Sequence, residues 1–297
     1  NLALGLERGA QLYPARPAIH FADRTITYGE LDAAINRVAN GLRALGIGRG
    51  DNVALACPNV PYFPIVYYGI LKAGATVVPL SVLCKAPEFA YHLEDSQAKA
   101  FFCFEGSAEL PLGTEGHAGF TQWGGCPRFV MITADPAKPS PIAGVSTLGA
   151  FMHAQLATGT CADTDANDTA VILYTSGTTG RPKGAELTHA NLAMHAFACA
   201  MLMRMEGTDC HLVTLPLFHS FGQSVQMNSA LWCGASIVLI PRFDPDAVLS
   251  AMQRHGVTIF AGVPTMYIAI LHLAGAEERH DLKAIAAKLR LGISGGA

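Results

Sequence analysis

The stretch TAVILYTSGTTGRPKGAEL, Thr169–Leu187, carries a polar loop, YTSGTTGRPKG (Tyr174–Gly184), between two runs that read as extended. The loop combines Gly177, Gly180 and Gly184 with the hydroxyls of Thr175, Ser176, Thr178 and Thr179, and places one lysine, Lys183, after Pro182. Thr169–Tyr174 is apolar and rich in strand-forming residues, and Ala185–Leu187 reads as a second strand. Glycines leave backbone N–H groups uncovered, so the loop offers N–H donors, hydroxyls and one mobile cation, a set suited to phosphate. A Walker-type loop would need glycine directly before the lysine and Ser or Thr after it, opening a helix. Here those positions hold Pro182 and Gly184, and a strand follows, so a helix dipole is not the main device.

Outward from the loop, apolar runs alternate with helical periodicity. Thr27 and Glu30 have capping-box spacing ahead of Leu31, Ile35, Val38, Leu42 and Leu45, which predicts a helix over 25–45 stopped by Gly46. Strands are expected at 52–57, 75–79, 100–104, 169–174, 211–215, 235–240 and 257–261, and helices at 65–72, 88–96 and 188–205. Residues 105–128 and 133–146, rich in Gly, Pro and Ser, are expected to be surface loops. Strand and helix in alternation imply α/β architecture, two sheet-centred lobes with helices on both faces.

The bulk composition narrows the function classes. Of 297 residues, 51% are hydrophobic and 14% charged, which suits much buried parallel sheet. A net charge of -3 without basic runs argues against a nucleic-acid face or an anionic membrane surface. None of the eight cysteines forms a C-x-x-C pair, so free thiols in a reducing, cytoplasmic setting are expected. The apolar run 61–84 is broken by prolines, glycines and Lys72 and reads as helix, turn and strand, not a transmembrane segment. The first residues lack the pattern of a signal peptide, although the absence of Met leaves room for a removed leader.

Beyond these readings, YTSGTTGRPKG resembles the phosphate loop of the adenylate-forming superfamily: acyl-CoA synthetases, peptide-synthetase adenylation domains and firefly luciferase. ITYGEL (26–31), LKAGATVVPL (71–80), LPLFHSFG (215–222), GVPTMY (262–267) and ISGGA (293–297) are similar to the family's other motifs, in its order. The resemblance implies a carboxylic acid attacking the α-phosphate of ATP, then transfer of the acyl group to coenzyme A. It implies that Thr175, Ser176, Gly177, Thr178, Thr179, Gly180 and Lys183 hold the β- and γ-phosphates, with Thr175 also helping to hold Mg²⁺. His219 matches a residue beside the reacting carboxylate, with its role open between orienting the acid and gating the thiol's path. Phe218 and Phe221 stand between core and acyl-pocket wall. Val263 and Thr265 match an acid-binding segment, and Gly295, Gly296 and Ala297 match backbone lining the nucleotide and acyl pockets.

The resemblance also implies a continuous lobe over 52–205 and a second lobe formed by 1–51 with 206–297. It implies that a metal-binding Glu, a ribose-binding Asp and a catalytic lysine follow in a later part and a C-terminal domain. These 297 residues are therefore expected to be an N-terminal portion, inactive alone. No aspartate accompanies Phe218-His219-Ser220-Phe221, so an uncharged fatty or aryl acid is expected. Two alternatives stand beside the CoA ligase: an acyl-AMP ligase loading an acyl carrier protein, and a truncated nucleotide- or acyl-binding module without catalysis.

Overall fold

In the computed structural model, which describes residues 1–175 and 180–295, the alternating runs resolve into two sheets flanked by helices. The first is seven-stranded, in the spatial order Ser146–Thr147, Phe129–Ile132, Ala100–Phe104, Asn52–Ala56, Thr76–Pro79, Thr169–Thr175, Lys183–Thr188. All its pairs are parallel except the last, an antiparallel hairpin. Thr76–Pro79 and Phe129–Ile132 are buried along their whole length, as strands of a sheet covered on both faces must be.

The second sheet runs Leu291–Ser294, Ile259–Gly262, Cys210–Val213, Ser236–Leu239, Pro17–Phe21, Arg24–Thr27, parallel until the closing hairpin Pro17–Phe21/Arg24–Thr27. This hairpin corrects the expected helix start at residue 25. The helix is Tyr28–Ala44, and the expected capping box sits at its first turn. The Thr27 N–H donates to Glu30 Oε2 at 2.8 Å, and the Glu30 N–H donates to Thr27 Oγ1 at 3.3 Å. Gly46, at φ +74°, occupies the left-handed position after the last turn.

The expected loop over 105–128 is also corrected, because it contains the helix Leu112–Trp123. Its glycines lie three apart on one face. A Cβ on Gly116 would stand 2.5 Å from Cys103 Sγ, and one on Gly119 2.5 Å from the Ala86 carbonyl oxygen. These glycines permit close packing on the sheet and on the helix Ala86–Asp95; they are not turn signals. The segment 133–145, by contrast, is irregular up to the strand Ser146–Thr147.

The chain divides into two compact units. The first holds residues 1–4, 32–58 and 62–193; the second holds 5–31, 59–61 and the chain from 194 onward. Residues 32–51 thus fall with the first unit, not with the second as expected from the resemblance, and 194–205 fall with the second. Side-chain bonding explains the first shift. Lys72 Nζ lies 2.7 Å from Asp32 Oδ1, Asn36 Nδ2 donates to the Ala157 carbonyl at 3.0 Å, and Arg43 Nη2 donates to the Lys72 and Thr160 carbonyls at 2.6 and 2.7 Å.

All eight cysteines are free thiols, and burial pushes those of Cys84 and Cys126 up to about 11, away from reactivity. The apolar run 61–84 folds as the helix Tyr62–Ala73 and the strand Thr76–Pro79. Among the described residues no helix is long and apolar enough to cross a membrane.

Candidate functional site

Thr175, Gly180 and Lys183 lie in the first unit. Thr175 ends the strand Thr169–Thr175 at its carboxyl edge, where open α/β sheets present their ligand sites. It pairs across the antiparallel hairpin with Lys183, and Tyr174 pairs with Gly184. The hydroxyl and the ammonium-bearing residue are therefore opposite one another at the mouth of the loop, both exposed. Gly180 has φ +89° with open space where a Cβ would be, so its backbone conformation, not crowding, asks for glycine. Ser176, Gly177, Thr178 and Thr179 lie outside the described residues.

Both limbs of the hairpin are tied to the helix Ala86–Asp95. The Tyr174 hydroxyl donates to Asp95 Oδ2 at 2.6 Å, and the Tyr91 hydroxyl donates to the Pro182 carbonyl at 2.7 Å. Burial, and after it the Asp95 carboxylate, hold the Tyr174 phenol well above its ordinary range, so it acts as a donor. The buried His92 ring packs edge-on against Tyr174, with centroids 4.4 Å apart.

Three expected segments of the second unit meet at one sheet edge. LPLFHSFG follows the strand Cys210–Val213, GVPTMY begins at the end of Ile259–Gly262, and Gly295 follows Leu291–Ser294. These strands are neighbours and parallel, so all three segments leave the same carboxyl edge. His219 is exposed, while Phe218 and Phe221 are half-buried. The backbone around His219 is held firmly: its N–H donates to the Pro216 carbonyl at 3.1 Å, and its carbonyl accepts from the Gln223 N–H at 3.0 Å. Gly222 lets that turn close, because a Cβ there would stand 2.4 Å from the Pro216 carbonyl oxygen. Val263 precedes the helix Pro264–Leu271, and Thr265 is exposed in its first turn. Tyr267 braces the next layer, its hydroxyl lying 3.0 Å from the Phe260 carbonyl and 2.8 Å from that of Ile293. Gly296 and Ala297 lie outside the described residues.

Sequence reading missed Asn59. Its buried amide donates to the Leu215 carbonyl at 2.9 Å and accepts from the Leu217 N–H at 2.9 Å, setting the LPLF turn. A lone asparagine some 156 positions away in the chain carries no local signal of this. Also missed was the π-helical run Phe221–Asn228, whose buried Gln226 reaches the Leu212 carbonyl at 3.0 Å. Two glutamines three positions apart in FGQSVQMN were the available hint.

The described residues contain no cluster of three His, Cys, Asp or Glu side chains able to hold a metal ion. Thr175 offers a single hydroxyl, which suits a hard cation only if phosphate oxygens and water fill its other positions.

The profile described as "AMP-binding enzyme" matches residues 6–297. Feruloyl-CoA synthase of Amycolatopsis sp is 34% identical over 266 residues, covering 89% of this chain and 48% of that protein. The long-chain-fatty-acid–CoA ligase of Bacillus subtilis (strain 168) is 30% identical over 291 residues, covering 90% and 51%. The solved anthranilate CoA ligase AuaEII, in complex with anthranoyl-AMP, superposes with a TM-score of 0.89 at 27% identity, covering all of this chain and 55% of that one. The chain thus spans about half the length of the curated relatives it matches. A hairpin that sets Thr175 opposite Lys183, three motif segments on one edge of the other sheet and a profile match over residues 6–297 agree, and the chain belongs to the AMP-binding enzyme family.

Proposed function

We propose that this chain supplies phosphate-binding and acid-binding surfaces of an acid–thiol ligase working through an acyl adenylate. The observation that carries the reading is the hairpin that sets Thr175 opposite Lys183 at a sheet's carboxyl edge, within a chain of this family. A carboxylate oxygen of the acid attacks the α-phosphorus of ATP. The bond to the bridging oxygen breaks, and pyrophosphate leaves with the electron pair. The coenzyme A thiol then adds to the acyl carbon, its proton passes to solvent, and AMP leaves.

In the first step negative charge gathers on the leaving pyrophosphate. The Lys183 ammonium and the loop's hydroxyls, Thr175 first among them, neutralise it, and such preorganised charge is the main lever on a phosphoryl centre. A divalent ion bound to the nucleotide would add the same kind of stabilisation, with Thr175 as its protein contact. His219, held by its backbone bonds at the end of the LPLF turn, orients the acid's carboxylate. Val263, Thr265 and Gly295 border the same edge. The half-buried Phe218 and Phe221, with no acidic residue from 215 to 222, favour an uncharged aryl or fatty acid. Similarity to ligases named for feruloyl and long-chain fatty acyl groups supports both classes.

The test is acid-dependent ATP–pyrophosphate exchange by the whole protein, with an aryl propenoic acid and a long-chain fatty acid as substrates. Exchange with one of them, reduced about tenfold or more in Lys183→Ala, is expected. Exchange that needs no acid, or none with either acid, overturns the reading.

A further inference from the structure

The helix Ala86–Asp95 bears none of the segments assigned to substrate, yet it bonds to both sides of the phosphate hairpin. Tyr91 reaches the Pro182 carbonyl, one residue before Lys183, and Asp95 accepts from Tyr174, one residue before Thr175. The two anchors lie one helical turn apart, four residues, so they share a face of the helix. The helix is itself held at its other end, where Glu115 Oε2 accepts from the Ala86 N–H at 3.0 Å and Glu88 Oε2 accepts from the Lys85 N–H at 2.7 Å. Gly119 lets the neighbouring helix Leu112–Trp123 press against this same first turn.

We propose that Tyr91 and Asp95 are positioning residues for ATP, gripping the hairpin on either side of its loop so that Thr175 and Lys183 meet the nucleotide's phosphates in one fixed geometry. The inference rests on the ligase reading for the identity of the ligand. Each acts through a bond to a limb of the hairpin: Tyr91 to the Pro182 carbonyl and Asp95 to the Tyr174 hydroxyl. Free limbs would let the loop sample other geometries, and nucleotide binding would then carry the cost of ordering it. The penalty falls on ATP alone, because the acid-binding segments hang from another sheet.

The experiment compares the whole wild-type protein with Tyr91→Phe, Asp95→Ala, Asp95→Asn and the control Thr121→Ala. Steady-state ATP–pyrophosphate exchange gives KM for ATP and for the acid, and calorimetric titration gives the ATP Kd directly. Tyr91→Phe keeps the ring and loses only the bond, and Asp95→Asn keeps an acceptor for Tyr174. Tyr91→Phe and Asp95→Ala should each raise the ATP KM and Kd roughly three- to tenfold, with kcat and acid KM within about twofold. Asp95→Asn should recover most of the loss, and Thr121→Ala should match wild type. An unchanged ATP KM, or equal rises for ATP and acid, overturns the clamp. Weakened ATP binding in a protein that shows no exchange overturns the ligase reading and keeps the clamp. No ATP binding by wild type overturns both.

Discussion

Gly119→Ala sets two physical effects against each other. Within a helix, alanine is favoured over glycine by about 1 kcal/mol, so propensity alone predicts a more stable protein. The structure predicts the reverse. The new Cβ would lie 2.5 Å from the Ala86 carbonyl oxygen, 2.6 Å from Phe89 Cβ and 3.0 Å from the Ala90 nitrogen. Two of these are backbone atoms of the helix Ala86–Asp95, which no rotamer change can move. Carbon contacts relax near ~3.5 Å, so the two helices must part by roughly 1 Å. Overpacking of this kind costs about 1–3 kcal/mol. The tight backbone contact argues for the upper half of that range, leaving a net loss of about 1–2 kcal/mol after the propensity gain. Urea denaturation followed by far-UV circular dichroism measures it as a lower midpoint at unchanged slope. Thr121→Ala is the control: it lies on the same helix, exposed, where propensity acts without a clash, and should fall within about 0.5 kcal/mol of the parent. A Gly119→Ala protein as stable as the parent or more so would refute the reasoning, since it would show that the helices part freely.

Other outcomes follow from the second unit. Arg290 donates to Asp209 through Nε at 2.8 Å and also through Nη2, and Asp209 accepts from the Thr258 hydroxyl at 2.7 Å and the Glu206 N–H at 2.8 Å. Burial opposes the Asp209 charge, but these partners outweigh it and hold the carboxyl below its usual range. Arg290→Met should therefore cost about 3 kcal/mol in equilibrium unfolding, and adding Asp209→Asn should recover part of that. Burial lowers His211 from 6.5 to about 4, so between those pH values the unfolded chain takes up a proton that the folded chain does not. Its contribution, about 3 kcal/mol, is complete above pH 6.5 and is lost as pH falls through 4; urea midpoints should drop over that window, and less so in His211→Leu. In Gly222→Ala the Cβ would meet the Pro216 and Leu215 carbonyl oxygens at 2.4 and 2.7 Å, disturbing the turn that carries His219. The KM for the acid should rise roughly tenfold or more while that for ATP changes little.

What could be read from sequence was local. The Thr27–Glu30 box declares itself within four residues, and strands buried on both faces announce themselves as unbroken apolar runs. The hairpin around YTSGTTGRPKG was legible because strand, loop and strand are consecutive. The helix Leu112–Trp123 was not, because a glycine that permits a close approach looks the same as one that permits a turn until its neighbour is known. Asn59 was illegible for the same reason, since its meaning depends on the LPLF turn it meets only after folding. The site's segment types were visible as motifs, whereas their meeting on one sheet edge required the parallel order of Cys210–Val213, Ile259–Gly262 and Leu291–Ser294.

The pairing of Pro17–Phe21 with Ser236–Leu239 has a consequence during biosynthesis. Ile19 sits opposite Ile237, so the strand Pro17–Phe21 pairs with one made 218 residues later. At about 5–20 residues per second, the interval is roughly 10–45 s. Through that time the apolar face of the early hairpin has no sheet to join, and Ala18 and Ile19, fully buried in the finished molecule, stand in water. The nascent chain therefore exposes an apolar surface that the folded protein has covered, and it does so for most of the time this unit takes to be made.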